Sequence, residues 1–120
     1  MKRILAVDDS VSVRQLQKAV LSGAGYEVVQ AVDGKDALAQ LEKTSVNLII
    51  TDLNMPNLDG LGLIKAVRAG GNHRLTPIIM ITTESQEEKK QAGRAAGATA
   101  WIVKPFAPEQ LVSVVKKIIG

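Results

Sequence analysis

Short apolar runs alternate with longer segments of helical periodicity along the chain. The run Leu48 to Ile50, followed by Thr51, is too short and too uniformly apolar for a surface helix, which indicates a strand covered on both faces. Similar runs recur before and after it. We therefore predict strands at residues 4–7, 27–31, 48–51, 77–82 and 101–103, the second of them at the outside of the sheet.

The segments between these runs predict helices. Ser10 or Ser12 can cap the first helix, and Ser12 with Gln15 matches a capping box. We expect Gly97 to end the helix at 86–96, and Pro108 to begin the last helix at a position that proline favours. The predicted apolar faces are, in chain order, Val13, Leu16 and Val20; Ala37, Leu38 and Leu41; Leu61, Ile64 and Val67; Ala92, Ala95 and Ala96; and Leu111, Val114, Val115 and Ile118.

Strands that alternate with helices predict a parallel sheet with right-handed crossovers, covered on both faces as a three-layer α/β sandwich. All strands of such a sheet end at the same edge, where open α/β sheets bind ligands. Polar and charged residues stand at or directly after the ends of four predicted strands, and we expect them to meet at that edge. They are Asp8 and Asp9, Asp52, Thr82 and Thr83, and Lys104.

Composition and charge narrow the class of protein. The 120 residues, 46% of them hydrophobic, suffice for one domain with its own core, and the lack of cysteine excludes disulfides and thiolate metal sites. The N-terminal apolar run is too short for a signal peptide or a membrane span, so we expect a cytoplasmic protein without membrane contacts. A net charge of +3 does not indicate nucleic-acid binding, because the basic residues are scattered and only three residues are aromatic. His73 lies in a polar loop and is assigned no role.

The cluster expected at the sheet edge has the chemistry of a magnesium site beside a nucleophile. Three crowded carboxylates repel one another, so they indicate a bound cation. Oxygen donors favour Mg²⁺, which takes a few carboxylates and a carbonyl and recruits phosphate. Lys104 adds a positive charge, a threonine hydroxyl and a backbone amide can donate to phosphoryl oxygens, and a carboxylate can itself form an aspartyl-phosphate.

These motifs resemble the receiver domain of two-component response regulators, and most of all its single-domain chemotaxis regulators. The resemblance implies a flavodoxin-like, doubly wound five-stranded sheet of order 2-1-3-4-5. It also implies a single receiver domain over residues 1–120 without an output domain. It covers essentially the whole chain and rests on Asp8-Asp9, Asp52 with Asn54-Met55-Pro56 and Asp59-Gly60, Thr82-Thr83-Glu84, and Lys104-Pro105-Phe106.

The resemblance assigns a role to each residue of the site. Asp52 accepts a phosphoryl group from a phosphohistidine on a sensor kinase. Mg²⁺ is bound directly by Asp9, Asp52 and the backbone carbonyl of Asn54, and by Asp8 through a water. The phosphoryl group is bound by Lys104, the Thr82 hydroxyl and the Thr83 backbone amide, and Lys104-Pro105 corresponds to a cis peptide of the family.

Other positions are implied to switch or to tune the domain. Trp101 stands where the family has a tyrosine or phenylalanine that moves inward together with the threonine, so Thr82 and Trp101 form the expected switch. Trp101 is bulkier than that ring, and its indole N–H needs a partner when buried. Thr83 replaces a smaller alanine or glycine and narrows access to the phosphoryl group. Asn54 and Glu84 occupy positions that tune the lifetime of the phosphate.

An output surface is expected on the helix at 86–96, the strand at Trp101 and the last helix, as one contiguous face. Such a face suits an acidic or amphipathic peptide, and ordinary surface residues are the alternative interpretation. The residues predicted for it are Lys89, Lys90, Arg94, Trp101, Val112, Lys116 and Ile119.

The resemblance thus implies a stand-alone, monomeric response regulator in which Mg²⁺-dependent phosphorylation of Asp52 switches partner binding, with chemotaxis as the expected pathway. It promotes its own phosphorylation and autodephosphorylation and does not turn over an external substrate. The expected partners are a sensor histidine kinase, a downstream protein target for which the flagellar motor switch is one candidate, and a phosphatase, but no nucleic acid. A phosphorelay intermediate and a Mg²⁺-dependent phosphohydrolase with an aspartyl nucleophile are the alternatives. Flavin binding is disfavoured, because no Ser/Thr/Gly-rich phosphate loop follows the first strand.

Overall fold

Five parallel strands form a single sheet in the order β2-β1-β3-β4-β5 in a computed structural model that describes residues 1–120. The strands are β1 (Arg3–Val7), β2 (Glu27–Ala31), β3 (Leu48–Thr51), β4 (Ile78–Thr82) and β5 (Ala100–Val103). The helices are α1 (Val11–Gly23), α2 (Gly34–Lys43), α3 (Gly60–Ala69), α4 (Glu87–Ala96) and α5 (Pro108–Ile119). The predicted fold class and strand order are confirmed, and β2 lies at an edge as expected.

A separate core lies on each face of the sheet, because successive side chains of a strand point to opposite faces. Leu5, Ile49 and Met80 pack with residues of α2 and α3, whereas Ile4, Ile50 and Ile81 pack with residues of α1 and α5. Every residue of β3 and β4 is buried. The inner strands are therefore covered on both faces, which is why their sequences are continuous apolar runs.

The helix ends follow the expected local rules with one exception. Gly97 ends α4 in the left-handed conformation, and Pro108 occupies the first turn of α5. Of the two serines proposed as caps, Ser10 is the N-cap of α1, and its hydroxyl accepts a hydrogen bond from the backbone N–H of Val13. The capping box of Ser12 and Gln15 is wrong, because Ser12 already lies inside the helix.

The buried face of α1 differs from the prediction. Leu16 is 48% exposed, whereas Gln17 is 1% exposed and lies on the same side as the fully buried Leu21. The side-chain oxygen of Gln17 has no hydrogen-bond partner. A polar residue, Gln17, thus takes a core position of α1. The buried face of the helix is therefore rotated by about one residue from the face that the apolar side chains predict.

The inward side of α4 is also wrong in part. Ala92 and Ala95 are exposed, Ala96 is half-buried, and Gly93 is the residue that α4 buries. The ring of Trp101 explains this orientation, since a Cβ atom built on Gly93 would lie 2.7 Å from Cζ3 of the indole. α4 therefore packs on the indole ring of Trp101 through Gly93, and not through a row of alanines.

His73 is buried, although its neighbours in the chain are polar. Its Nε2 accepts a hydrogen bond from the backbone N–H of Val46 at 3.2 Å, which joins the loop before β4 to the residues before β3. Burial lowers the pKa of His73 below its ordinary value. His73 thus has a structural role that the sequence did not predict. No helix of the chain is long and apolar enough to cross a bilayer.

Candidate functional site

Three carboxylates meet at the carboxyl edge of the sheet, where β1 and β3 lie side by side. One oxygen from each of Asp8, Asp9 and Asp52 lies within 4.8 Å of the others. Asp8 is buried, Asp52 is half-buried and Asp9 is exposed. The cluster forms because β1 and β3 are adjacent and pair Val7 with Thr51, so that both chains leave the sheet at the same level.

Lys104 neutralises part of this cluster. It follows β5 at the other side of the site, and its Nζ lies 2.8 Å from Oδ2 of Asp8 and 2.9 Å from Oδ2 of Asp52. Burial acts to lower the pKa of the Lys104 ammonium, but the hydrogen bonds and charges of the two aspartates outweigh it, and the pKa is raised. The peptide bond between Lys104 and Pro105 is cis, as the resemblance implied.

The backbone around Asp52 is held tightly by its own loop. Oδ1 of Asp52 accepts a hydrogen bond from the backbone N–H of Leu53 at 2.6 Å. Gly60 packs directly against this segment, and a Cβ atom there would lie 2.2 Å from the carbonyl oxygen of Asp52. Only glycine permits this approach, so the position of Asp52 depends on Gly60.

The loop after β3 forms the open side of the site. Asp9 and Asn54 line a surface depression of about 410 Å³ together with Met55, Pro56 and Asp59. Asp9 belongs both to this depression and to the cluster with Asp8 and Asp52, whose donors are carboxylate oxygens. These hard oxygen donors fit Mg²⁺ and not a soft metal, and the exposed Asp9 leaves room for the waters that Mg²⁺ retains.

A second loop packs against the loop after β3 and supports it. The Asp33 carboxylate accepts hydrogen bonds from the backbone N–H of Asp36 at 2.8 Å and from the side-chain amide of Asn57 at 2.6 Å. These two bonds lower the pKa of Asp33, the first more than the second. The bond between Asp33 and Asn57 could not be predicted, because a long-range partner leaves no mark on the local sequence pattern.

Thr82 and Trp101 are linked through one residue, Glu84. The Thr82 hydroxyl oxygen accepts a hydrogen bond from the backbone N–H of Glu84 at 3.3 Å, and the Trp101 Nε1–H donates to the carbonyl oxygen of Glu84 at 3.0 Å. Thr82 is fully buried at the end of β4, whereas Thr83 is exposed. The indole donor therefore has a partner, and the loop after β4 is held from both sides.

The residues predicted for an output surface lie around two separate depressions. Lys90, Arg94 and Trp101 line a small one of about 60 Å³ between α4 and β5, and Lys89 is exposed nearby on α4. Val112 and Lys116 instead line a larger groove with Val20 of α1 and with Ala24, the C-cap residue of that helix. Ile119 packs on the core beneath α1 and α5. Val112 and Lys116, one helical turn apart, thus lie on the side of α5 that faces α1, and one contiguous face with α4 and β5 stays a prediction.

Comparison with known proteins identifies the family. The model of the response regulator receiver domain matches residues 4–116. The chain is 40% identical to chemotaxis protein CheY1 of Helicobacter pylori over 98% of this chain and 97% of the relative. It is 36% identical to the probable transcriptional regulator ycf27 of Porphyridium aerugineum, of whose length it spans about half, 48%, with 98% of this chain covered.

Solved structures agree with this assignment. The chemotaxis protein CheY4 of Vibrio cholerae has a TM-score of 0.94 and 49% identity, with 98% of both chains covered. The response regulator TrrA of Thermotoga maritima, solved in complex with Mg²⁺-BeF, has a TM-score of 0.87 and 34% identity, covering 98% of this chain and 99% of that one. The chain belongs to the response regulator receiver domain family, the phosphoryl-accepting signalling switches of two-component systems.

Proposed function

We propose that Mg²⁺-dependent transfer of a phosphoryl group from the phosphohistidine of a sensor kinase to Asp52 switches this domain between two partner-binding states, in a chemotaxis pathway. One observation carries the proposal. The half-buried Asp52 lies among carboxylates within 4.8 Å and beside an ammonium group 2.9 Å away, at the carboxyl edge of the sheet. A nucleophile, donors for a cation and a fixed positive charge thus lie together.

The residues that would hold Mg²⁺ are Asp8, Asp9, Asp52 and the backbone carbonyl of Asn54. When bound, the ion neutralises the carboxylates and the charge that develops on the phosphoryl oxygens. The Mg²⁺-BeF complex of the related TrrA supports this assignment. Asp9 is exposed and makes none of the hydrogen bonds at the site, so it is free to take a ligand.

The protein's own residues position the reaction. An oxygen of Asp52 forms a bond to phosphorus while the bond from phosphorus to the histidine nitrogen breaks, and the electron pair of that bond stays with the imidazole. Lys104 is placed to donate to the phosphoryl oxygens from its position beside Asp52. The Thr82 hydroxyl and the Thr83 backbone N–H supply the other donors in this proposal.

The proposed switch depends on the two hydrogen bonds that the backbone of Glu84 makes with Thr82 and Trp101. For its hydroxyl to reach the phosphoryl group, Thr82 gives up the hydrogen bond from the Glu84 N–H. The carbonyl oxygen of Glu84 also accepts the hydrogen bond from the indole N–H of Trp101. The change therefore reaches the indole ring and its packing against Gly93 of α4. The side chains of Asn54 and Glu84, both outside the buried core, tune the lifetime of the phosphate in this proposal.

The partners follow from the same assignment. A sensor histidine kinase supplies the phosphoryl group, a downstream protein binds the phosphorylated form, and a phosphatase resets it. The similarity to CheY1 and CheY4 supports chemotaxis, with the flagellar motor switch as a candidate target, while the similarity to ycf27 supports a different pathway. The depression formed by Lys90, Arg94 and Trp101 is the candidate target site, because it adjoins the switch and carries two cations.

The test is phosphorylation by acetyl phosphate followed by intact-mass measurement. The wild-type chain should gain one phosphoryl group with Mg²⁺ and none with EDTA. Asp52→Asn should gain none, whereas Asp36→Asn, which removes a carboxylate on α2, should behave as wild type. Label on Asp52→Asn, or turnover of the phosphate donor without a labelled protein, would reject the proposal in favour of another acceptor or a phosphohydrolase.

The pathway is tested in the source organism. Deletion of the gene should abolish chemotactic rings in soft agar, and the wild-type gene but not Asp52→Asn should restore them. Normal rings in the deletion strain would place the switch in another pathway.

A further inference from the structure

Arg14 reaches back from the first turns of α1 to the acidic pair at the end of β1. Its Nη1 donates to the backbone carbonyl oxygen of Asp8 at 2.6 Å. Its Nε donates to the side-chain oxygen of Gln30 on β2 at 3.3 Å. Arg14 and Gln30 are both half-buried, and the guanidinium has no carboxylate partner.

The Asp8 carbonyl belongs to the peptide unit that joins Asp8 to Asp9. A peptide unit is planar, and its plane contains the Cα atoms of both residues. Fixing this oxygen therefore fixes the direction in which the chain enters Asp9.

The two aspartates depend on this contact to different degrees. Asp8 is also held by the carbonyl oxygen of Ala31, by the N–H of Ser10 and by Lys104. The Asp9 side chain is exposed and takes part in none of these bonds. Its position is thus set through the backbone that Arg14 holds.

We propose that Arg14, braced by Gln30, is a positioning residue that orients the Asp8–Asp9 peptide so that the Asp9 carboxylate faces the cation site. The inference rests on the proposed function, because it concerns the Mg²⁺ site of that proposal. Two effects of Arg14 on Mg²⁺ affinity have opposite signs. Its positive charge alone repels Mg²⁺, whereas its hold on the peptide preorganises a ligand.

Calorimetric titration of the full chain with MgCl₂, without any phosphate, separates these effects. Arg14→Gln should raise the dissociation constant for Mg²⁺ about tenfold, the lower end of what the loss of a supporting contact costs a metal site. Gln30→Met keeps the charge but removes the brace, and it should raise the constant in the same direction. Lys18→Gln removes an exposed charge one helical turn further along α1 and is the matched control, with affinity as in wild type.

A second readout distinguishes positioning from a general loss of structure. With acetyl phosphate as donor, the Mg²⁺ concentration for half-maximal phosphorylation should rise in Arg14→Gln, while the rate at saturating Mg²⁺ stays at the wild-type value. Unchanged or tighter Mg²⁺ binding in Arg14→Gln would overturn the inference and leave the proposed function standing. A wild-type chain that binds no Mg²⁺ would overturn both. If Arg14→Gln fails to fold, as judged by circular dichroism, wild-type affinity in Gln30→Met is the overturning result.

Discussion

At the scale of single residues, the structure adds side chains whose importance comes from distant contacts. His73 and Asp33 are anchored by Val46 and Asn57, which lie 27 and 24 positions away in the chain. Periodicity and turn propensity describe neighbours within a few positions, so such pairs leave no trace in them. The strand-end residues Asp8, Asp52 and Lys104 were predictable for the opposite reason, since the parallel topology alone brings strand ends together.

His73 should make stability depend on pH. Burial lowers its pKa, so between that value and about 6.5 the unfolded chain binds more protons than the folded one. The free energy of unfolding therefore falls as the pH drops below about 6.5. Protonation of Nε2 also removes the acceptor for the Val46 N–H.

Urea denaturation of wild type and His73→Gln at about pH 7.5 and about pH 5.5 measures this contribution. The loss of stability between the two pH values should be smaller in His73→Gln, whose amide oxygen can still accept from Val46. The lowered pKa of Asp33 does not interfere, because its stabilisation is lost only as the pH falls below its ordinary value of 3.8. Equal losses in the two proteins would show that His73 does not titrate with folding.

At the scale of elements, the sequence indicates where helices lie better than which face they bury. Gly97 and Pro108 set the limits of α4 and α5 through local backbone chemistry, and both were predictable. The buried faces of α1 and α4 depend on tertiary packing. A buried glutamine in α1 and a large ring beneath α4 shift these faces away from the apolar pattern, and neither is visible before the elements are packed.

The packing of α4 on the indole of Trp101 can be tested by Gly93→Ala. The added methyl would lie 2.7 Å from Cζ3 and 3.3 Å from Cε3 of the indole, so the ring must move. Movement of the ring stretches the hydrogen bond from Nε1 to the Glu84 carbonyl oxygen. Overpacking lowers the free energy of unfolding by about 1–3 kcal/mol, whereas the higher helix propensity of alanine raises it by about 1 kcal/mol. We expect lower stability and a shifted fluorescence maximum of Trp101, the single tryptophan of the chain.

Gly23→Ala is the matched control for this substitution. Gly23 is the last residue of α1 and has no atom within 4 Å of a built Cβ, so the same chemical change should alter stability little and leave the fluorescence as in wild type. A Gly93→Ala protein that is at least as stable as wild type, with unchanged fluorescence, would show that α4 does not pack on the indole.

At the scale of the whole molecule, the prediction of the fold succeeded because many weak signals agree. The continuous apolar runs of β3 and β4 require cover on both faces, and the helices between strands supply it through right-handed crossovers. The arrangement of the output surface did not follow from these signals. Which side of α5 meets α1 depends on packing angles, so Val112 and Lys116 lie in the groove beside α1.

Lys104 ties the carboxyl ends of three strands together, since it follows β5 and bonds aspartates that follow β1 and β3. Lys104→Met leaves the carboxylate cluster without its cation, and in EDTA we expect the free energy of unfolding to fall by about 1–3 kcal/mol. Mg²⁺ should then stabilise the variant more than the wild type, because it no longer competes with the ammonium group for Asp8 and Asp52. Thermal unfolding in EDTA and in saturating MgCl₂ measures both effects, with Lys65→Met on the exposed side of α3 as the control for loss of charge. Equal shifts on adding Mg²⁺ in Lys104→Met and wild type would mean that lysine and metal do not share these carboxylates.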